Sequence, residues 1–305
     1  MVGAGGVGGY FGARLVEAGE DVVFVARGAQ LAALRSSGLS IESPRGNASL
    51  GPQRASSDPA ALGRVDAVLL CVKTWQVADT VPTLGGMVGP ETCVVPFQNG
   101  VEAADQLVGL LGRGPVLGGV AKIVAYMDGP GRIRDVGGPT AAAFAELDNR
   151  PSDRVEQLRD AFRRAKLEVE TPADIHAAVW SKFLFVATAG GVGAVARMPI
   201  GVLRRVPETR ALLQGGMAEI AALAAARRVR LPGDIVDRTM AFVDTLPAEG
   251  TASLQRDIAD GRRSELEAWS GAVVRLGRAA GVATPVHTFI YSSLLPAELR
   301  AREEL

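Results

Sequence analysis

The sequence is poor in the residues that build disulfide frameworks and metal centres. Among its 305 residues it has two cysteines and two histidines. Cys71 and Cys93 both lie in apolar, strand-like runs, which favours two buried thiols over a disulfide and fits a reducing compartment, with the cytoplasm as the expected location. His176 and His287 lie far apart in sequence, with no cysteine or carboxylate pattern beside them. We expect both histidines to be structural and expect no metal site.

An excess of charge of either sign is also missing. The 33 Lys and Arg residues balance the 33 Asp and Glu residues, so nothing in the overall charge favours binding to nucleic acid or to an anionic membrane. Neither a Gly-x-Ser-x-Gly nucleophile elbow nor a Walker phosphate loop is present. The composition, 48% apolar and 22% charged, is typical of a globular protein, and the chain is long enough for two domains with separate cores.

A glycine-rich segment stands at the start of the chain. Gly3, Gly5 and Gly8 have the spacing G-x-G-x-x-G, followed by a predicted helix over 13–19 and a predicted buried strand over 21–26. Such a turn holds a dinucleotide pyrophosphate at the helix N-terminus, so the predicted cofactor-binding residues here are Gly3, Gly5, Gly6, Val7 and Gly8. Only two residues precede Gly3, so either the first strand is very short or the given chain begins inside the natural one.

Arg27 follows the second predicted strand directly. NAD-binding versions of this motif place an acidic residue there for the ribose 2′-hydroxyl, whereas a guanidinium pairs with a 2′-phosphate. The sequence therefore favours NADP(H) as the cofactor, with Gln30 as a candidate helper. The alternative is a solvated surface arginine.

Two further predicted strands end in polar residues. Lys73 and Gln76 follow the strand over 66–72, and Asn99 follows the strand over 92–97. Ligands of open α/β sheets bind beyond the carboxyl ends of the strands, which makes these three residues candidates for contacts with cofactor or substrate. A surface lysine and an ordinary Asn-Gly turn are the alternatives.

The pattern changes to helical periodicity at about residue 151. Thr171-Pro172 is the predicted junction between a Rossmann-like NADP(H)-binding domain, 1–171, and a helical substrate or catalytic domain, 172–305. The predicted fold class is therefore an α/β Rossmann-type N-terminal domain plus an all-α C-terminal domain. Apolar helical faces in the second half would suit a homodimer, although no segment demonstrates one.

The helical half carries two further candidate segments. Lys182 is the one charge in a mostly apolar run over 177–196, where it is either a lysine with a lowered proton affinity or one whose amine reaches the surface. A continuous helix over 253–267 would place Ser253, Asp257 and Glu265 along one stripe. A charged helix face of this kind is usually just solvated.

These segments together resemble the ketopantoate reductase (2-dehydropantoate 2-reductase) family over nearly the whole chain. The resemblance rests on GAGGVGGYFGARL at 3–15, Arg27, CVKTWQ at 71–76, QNGVE at 98–102, WSKF at 180–183, and SLQRDI and SELE at 253–267. Their order and spacing are more specific than any single motif.

The resemblance implies an NADPH-dependent reductase of a small 2-oxo acid, with 2-dehydropantoate, a precursor in pantothenate biosynthesis, as the leading candidate. It implies that Lys182 is the catalytic lysine and Glu265 the active-site glutamate. It also places Asn99 beside nicotinamide and substrate, Ser253 at the substrate carboxylate, and Lys73 and Gln76 beside the cofactor.

The chain departs from this family at two positions. Members that reduce ketopantoate typically carry asparagines four and eight residues after the catalytic lysine, where this chain has Val186 and Gly190. Losing two amides removes hydrogen bonds to polar groups of a substrate. The alternatives are therefore a related NADP-linked enzyme acting on another carbonyl, hydroxy-acid or imine substrate, or a non-catalytic NADP(H)-binding protein.

Overall fold

The computed structural model describes all 305 residues, which fold into two compact units. The first unit comprises Met1–Gln98 and Glu102–Ile175, and the second comprises Asn99–Val101 and His176–Leu305. The boundary predicted from the sequence lies a few residues before Ile175. The short segment Asn99–Val101 belongs by its contacts to the second unit, which the sequence did not indicate.

All strands lie in the first unit. They are β1 (Phe24–Val25), β2 (Leu39–Glu42), β3 (Ala48–Leu50), β4 (Ala55–Ser56), β5 (Ala67–Leu70), β6 (Cys93–Pro96), β7 (Leu117–Lys122), β8 (Ala125–Met127), β9 (Arg132–Asp135), β10 (Ala141–Glu146) and β11 (Glu168–Glu170).

Five α-helices accompany these strands, and seven follow them. They are α1 (Gly6–Glu17), α2 (Gly28–Ser36), α3 (Val77–Thr80), α4 (Ala103–Leu111), α5 (Asp153–Arg164), α6 (Ile175–Ala196), α7 (Ile200–Leu203), α8 (Pro207–Ala226), α9 (Ile235–Thr245), α10 (Ser253–Ala259), α11 (Ala272–Ala280) and α12 (Pro285–Ala301). Short 3₁₀ turns cover Pro59–Leu62, Thr74–Gln76 and Val81–Gly86, and a π-helical turn covers Glu267–Gly271.

The main sheet of the first unit is centred on Val2. This residue bridges in parallel to Val25 on one side and to Leu70 on the other. The strand order is β4-β1-Val2-β5-β6-β7-β10-β11, with β10 antiparallel to β7. Val2 therefore places the glycine turn that follows it at the centre of a parallel sheet, as in a Rossmann fold.

Helix α1 is fixed to the sheet by buried aromatic rings. Phe11 is fully buried, and its ring centroid lies 5.7 Å from that of Phe97 and 5.6 Å from that of Phe162 on α5. Phe144 of β10 continues the cluster at 5.3 Å from Phe162. These contacts set the height of α1 over the sheet and so fix where its N-terminus begins.

Backbone contact at the start of α1 depends on one glycine in particular. A Cβ placed at Gly8 would lie 2.0 Å from the carbonyl oxygen of Gly3 and 3.0 Å from Cβ of Cys71. A Cβ at Gly5 would meet no atom within 4 Å. Gly8 is thus required for close packing of helix on strand, whereas Gly5 faces open space.

A second sheet, in the order β3-β2-β9-β8, covers one side of α1. Within it β2 and β3 pair antiparallel across the Ser-Pro-Arg-Gly-Asn turn at 43–47. The β8–β9 hairpin turns at Gly129 and Gly131, both with positive φ.

The helices of the second unit share one apolar core. The core includes Phe183, Leu184, Met217, Leu254 and Trp269. By length and composition α6 is apolar enough to cross a membrane, but 56% of its most apolar window is buried inside the protein, as in the core helix of a globular domain. Its glycines admit close neighbours: a Cβ at Gly191 would lie 2.8 Å from Ile290, and one at Gly193 would lie 2.7 Å from Oε1 of Gln255.

Residues 253–267 do not form the continuous helix that would place Ser253, Asp257 and Glu265 on one stripe. Helix α10 ends at Ala259, and Gly261 adopts a left-handed conformation with φ of 66°. The amide of Arg262 donates to the carbonyl of Asp257, and that of Gly261 donates to Ile258, which is a glycine-terminated helix end. Ser264 and Glu265 therefore lie between two helical segments and not on a stripe shared with Ser253.

His287 is fully buried in the second unit. Its Nε2 lies 3.2 Å from the carbonyl of Gly216, and its Nδ1 lies 3.3 Å from Oγ of Ser270. Burial lowers the pKa of His287 from 6.5 to about 4, because the charged imidazolium would lose its water. The structural role predicted for this histidine agrees with these contacts.

We expect His287 to make the protein acid-sensitive. In the unfolded chain His287 binds a proton below pH 6.5, whereas in the folded chain it does so only below about pH 4. The stability is therefore present above pH 6.5 and is lost as the pH falls. From pH 7 to pH 5 this amounts to about 2 kcal/mol. In urea unfolding, the free energy of unfolding of His287→Asn should fall less than that of wild type between pH 7 and pH 5, by the same amount. His176→Asn, at an exposed position, should behave like wild type.

Alanine should destabilise the protein at Gly8 and have little effect at Gly5. Gly8→Ala forces its Cβ into the Gly3 carbonyl and should reduce the free energy of unfolding by about 2 kcal/mol or more. Gly5→Ala should change it by less than about 1 kcal/mol. Denaturant melts of both variants measure this, and equal losses would contradict the packing described here.

Candidate functional site

The N-terminus of α1 is shaped to bind an anion. Its N-cap residue, Gly5, has an extended backbone, no side chain caps the helix, and no acidic residue lies in its first turn. The first-turn N–H groups and the positive end of the helix dipole are therefore available to a phosphate. Gly3, with φ of 92°, lies so close to Val72 that a Cβ would approach its amide nitrogen to 2.8 Å. These features fit a dinucleotide pyrophosphate.

Gly6 and Val7 have contacts that the motif alone does not indicate. A Cβ at Gly6 would lie 2.3 Å from the carbonyl oxygen of Ala125, so β8 explains the glycine at this position. Val7 is partly buried against the apolar core. Both residues still belong to the first turn of α1, where their backbone amides lie.

Arg27 is exposed at the N-cap of α2, two residues after the end of β1. Gln30 has a different role from the one expected. It is buried, its Nε2 donates to the carbonyl of Ala4 at 2.8 Å, and its Oε1 accepts from the amide of Gly131 at 2.8 Å. Gln30 therefore links the glycine turn to the β8–β9 hairpin. The nitrogen and the oxygen of its side-chain amide are both engaged in these hydrogen bonds.

Lys73 and Gln76 form a small cap after β5. Oε1 of Gln76 accepts from the amide of Lys73 at 3.1 Å, and Nζ of Lys73 lies 5.7 Å from the centroid of the Trp75 ring. Gln98, which the sequence analysis missed, supports this segment. Its Nε2 donates to the carbonyls of Leu70 and Val72, each at 3.0 Å, and its Oε1 is buried without a hydrogen-bond partner.

The two thiols of the first unit are unreactive near neutral pH. Cys71 and Cys93 are free cysteines. Burial raises the pKa of Cys71 to about 12 and that of Cys93 to about 11. Both therefore stay neutral near pH 7 and are unsuited to act as nucleophiles.

Lys182 lies in the first half of α6 and is half-buried. Val186 and Gly190 follow it at intervals of four along the same side of the helix. At Gly190 two other segments reach α6: a Cβ there would lie 2.6 Å from Cζ3 of Trp269 and 3.3 Å from Cβ of Ala252.

Ser253 is the first residue of α10, directly after Ala252. The contact between Ala252 and Gly190 and the contact between Gln255 and Gly193 place the start of α10 against α6. Ser253 thus belongs to a segment that packs on the helix of Lys182.

Glu265 is 6% exposed, and hydrogen bonds fix the residues on either side of it, Ser264 and Leu266. Oε2 of Glu298 accepts from both the amide and the hydroxyl of Ser264, and the Ser264 hydroxyl accepts from the amide of Leu266. Arg302 donates to the other oxygen of Glu298 at 2.6 Å. No local sequence pattern indicates Glu298, because this contact spans 34 residues.

Asn99 joins the same part of the second unit. The next residue, Gly100, has φ of 139° and lies beside the carbonyl of Ala268, where a Cβ would be in van der Waals contact at 3.6 Å. Trp269, beside Ala268, donates its amide to the carbonyl of Glu265 at 3.0 Å. The structure therefore brings together the segments that carry four of the predicted residues: Asn99, Lys182, Ser253 and Glu265.

Comparison with known proteins agrees with both units. Residues 1–149 match the family ketopantoate reductase PanE/ApbA, and residues 174–298 match ketopantoate reductase PanE/ApbA C terminal. The chain is 30% identical to a 2-dehydropantoate 2-reductase of Caulobacter vibrioides, covering 98% of each chain. It is 28% identical to an uncharacterized oxidoreductase, YkpB, of Bacillus subtilis, covering 96% of each.

Solved structures show the same fold. A PanE/ApbA family ketopantoate reductase from Ralstonia eutropha superposes with a TM-score of 0.89 at 30% identity, covering 99% of this chain and 100% of the other. A ternary complex of D-mandelate dehydrogenase with NADH and anilino(oxo)acetate superposes with a TM-score of 0.90 at 20% identity, covering 99% of each, and shows the fold alone.

The predicted fold class, a Rossmann-type domain followed by a helical domain, is confirmed by the architecture and by these matches. The resemblance found in the sequence is confirmed as well. The chain belongs to the ketopantoate reductase family of oxidoreductases.

Proposed function

We propose that this protein reduces a 2-oxo acid to the corresponding 2-hydroxy acid with NADPH. The observation that carries the proposal is the convergence, in the helical unit, of the segments bearing Asn99, Lys182, Ser253 and Glu265. Relatives named 2-dehydropantoate 2-reductase make 2-dehydropantoate the leading candidate substrate, which would place the enzyme in pantothenate biosynthesis.

The first domain, 1–171, would hold the cofactor. When bound, NADPH supplies the hydride that reduces the carbonyl carbon. The amides at the start of α1, in residues 5–8, would bind the pyrophosphate. Arg27 would pair with the 2′-phosphate, and Lys73 and Gln76 would contact the nucleotide from the cap after β5.

The second domain, 172–305, would hold the substrate and the acid. Lys182 would stabilise the negative charge that grows on the carbonyl oxygen and then donate a proton to it. Glu265, buried and fixed through Ser264, would hydrogen-bond the substrate and offset the charge of the lysine. Ser253 would donate to the substrate carboxylate, and Asn99 would orient the reacting groups.

Two further assignments remain proposals. The cytoplasm is the proposed location, supported by two free thiols that remain reduced in that compartment. A homodimer is the proposed assembly, supported by apolar side chains exposed on the helical unit, among them Met198, Val206 and Phe289.

The choice of cofactor can be tested at Arg27. Arg27→Ala removes the proposed partner of the 2′-phosphate, so KM for NADPH should rise about 10- to 100-fold while KM for NADH changes little. Arg113→Ala, at an exposed arginine in the loop between α4 and β7, is the matched control. Equal losses with both cofactors would refute the assignment.

The role of Lys182 can be separated from cofactor binding. Lys182→Met should lower kcat for 2-oxo acid reduction by about 10²- to 10⁴-fold. The Kd for NADPH, measured by fluorescence titration, should stay close to that of wild type. Lys166→Met changes an exposed lysine and should leave both quantities unaltered. Unchanged turnover in Lys182→Met would remove the lysine from the mechanism.

A protein that binds NADP(H) without catalysis is the rival from another class. It predicts that wild-type protein binds NADPH but oxidises it with no member of a 2-oxo acid panel. Steady-state assays across such a panel distinguish a reductase from a non-catalytic binding protein.

A further inference from the structure

Helix α12 presents three hydrogen-bonding side chains to the segment that carries Glu265. They are His287, Tyr291 and Glu298, whose spacings of four and seven residues place them on one side of the helix. Each of them contacts a different residue of the segment 264–270. One face of the last helix is therefore engaged with the short stretch of chain between α10 and α11.

Glu298 makes the shortest of these contacts. It is fully buried, and its Oε2 accepts from the amide of Ser264 at 2.9 Å and from the hydroxyl of Ser264 at 2.5 Å. The Ser264 hydroxyl in turn accepts from the amide of Leu266 at 3.2 Å. Arg302 donates to Oε1 of Glu298, so the buried charge is paired. One carboxylate thus fixes, directly or through one hydroxyl, the backbone on both sides of Glu265.

Tyr291 and His287 contact the π-helical turn that follows Glu265. The Tyr291 hydroxyl donates to Oε2 of Glu267 at 2.8 Å. Nδ1 of His287 lies 3.3 Å from Oγ of Ser270. Turns of this kind are rare and are frequently found at functional sites. The position of this one is set by side chains of α12 as well as by its own backbone hydrogen bonds.

We propose that Tyr291 and Glu298 are positioning residues of the reductase, which hold Glu265 in the orientation that the chemical step requires. This assignment rests on the proposed function, in which Glu265 acts on the substrate together with Lys182. Tyr291 and Glu298 act through the backbone of the segment 264–270 and need not touch substrate or cofactor. A displacement of about 1 Å at a reacting site can cost about 100-fold in rate, so loss of these hydrogen bonds lowers kcat. Binding of the cofactor, which is assigned to the other domain, is unaffected.

Two variants that each remove one hydroxyl group test the proposal. Ser264→Ala deletes the oxygen that joins Glu298 to the amide of Leu266. Tyr291→Phe deletes the donor to Glu267. Each should lower kcat for reduction of a 2-oxo acid by about tenfold or more, and the double variant should lower it further. The Kd for NADPH, measured by fluorescence titration, should stay close to that of wild type.

Thr209→Val is the matched control in the same unit. It removes the hydrogen bond from the Thr209 hydroxyl to the carbonyl of Leu203, which lies outside the segment 264–270. This variant should lose stability in denaturant melts and keep the kcat of wild type. Ser264→Ala and Tyr291→Phe would behave in the same way if their hydrogen bonds were structural only. Unchanged kcat in both folded variants would therefore overturn the proposal.

Two substitutions of similar size at Glu298 test its acceptor oxygen separately from its bulk. Glu298→Gln keeps an oxygen that can accept from the amide and the hydroxyl of Ser264, whereas Glu298→Met keeps the length of the side chain and has no such acceptor. The kcat of Glu298→Gln should exceed that of Glu298→Met by about tenfold. Equal values in the two folded variants would remove Glu298 from the positioning role. If Glu298→Met does not fold, the result with Ser264→Ala decides the matter.

The same assays separate the positioning role from the proposed function. Turnover by wild type with unaltered kcat in Ser264→Ala and Tyr291→Phe refutes the positioning role and leaves the reductase assignment standing. No oxidation of NADPH by wild type with any member of a 2-oxo acid panel refutes the proposed function and the positioning role together.

Discussion

The contact between Gly8 and the carbonyl of Gly3 is the constraint on which the first unit depends. It brings the start of α1 against the end of the central strand, where a Cβ would have only 2.0 Å to the oxygen. Phe11, three residues after Gly8, then packs in the aromatic cluster with Phe97 and Phe162. The amides of α1 that are proposed to bind the pyrophosphate are thus positioned by the core packing of the helix.

Small residues play a corresponding part in the second unit. The glycines of α6 let the start of α10 and the ring of Trp269 approach the helix that carries Lys182. Glu298 holds the Ser264 backbone from α12, so Glu265 is oriented by a residue far away in sequence. The proposed site is therefore positioned by close packing and buried hydrogen bonds on rigid elements, which is what pre-organised chemistry requires.

Sequence patterns predicted the features that depend on local chemistry. The glycine turn, the strands around residues 67–70 and 93–96, α5 and the helical second half follow from motif spacing and periodicity. Other features depend on distant contacts and had no local signal: β8 packing on Gly6, the buried role of Gln30, and the support from Gln98 and Glu298. The end of α10 is different, because Gly261 is itself a local helix-stop signal.

Transfer of hydride from the cofactor to the carbonyl carbon of a 2-oxo acid is the central claim. The most direct measurement incubates the enzyme with NADPH deuterated at the transferable C4 position and a 2-oxo acid, and determines the isotope content of the product by mass spectrometry. The account predicts a 2-hydroxy acid that carries one deuterium on C2. Oxidation of the labelled NADPH without a deuterated 2-hydroxy acid, or formation of an unlabelled one, would contradict it.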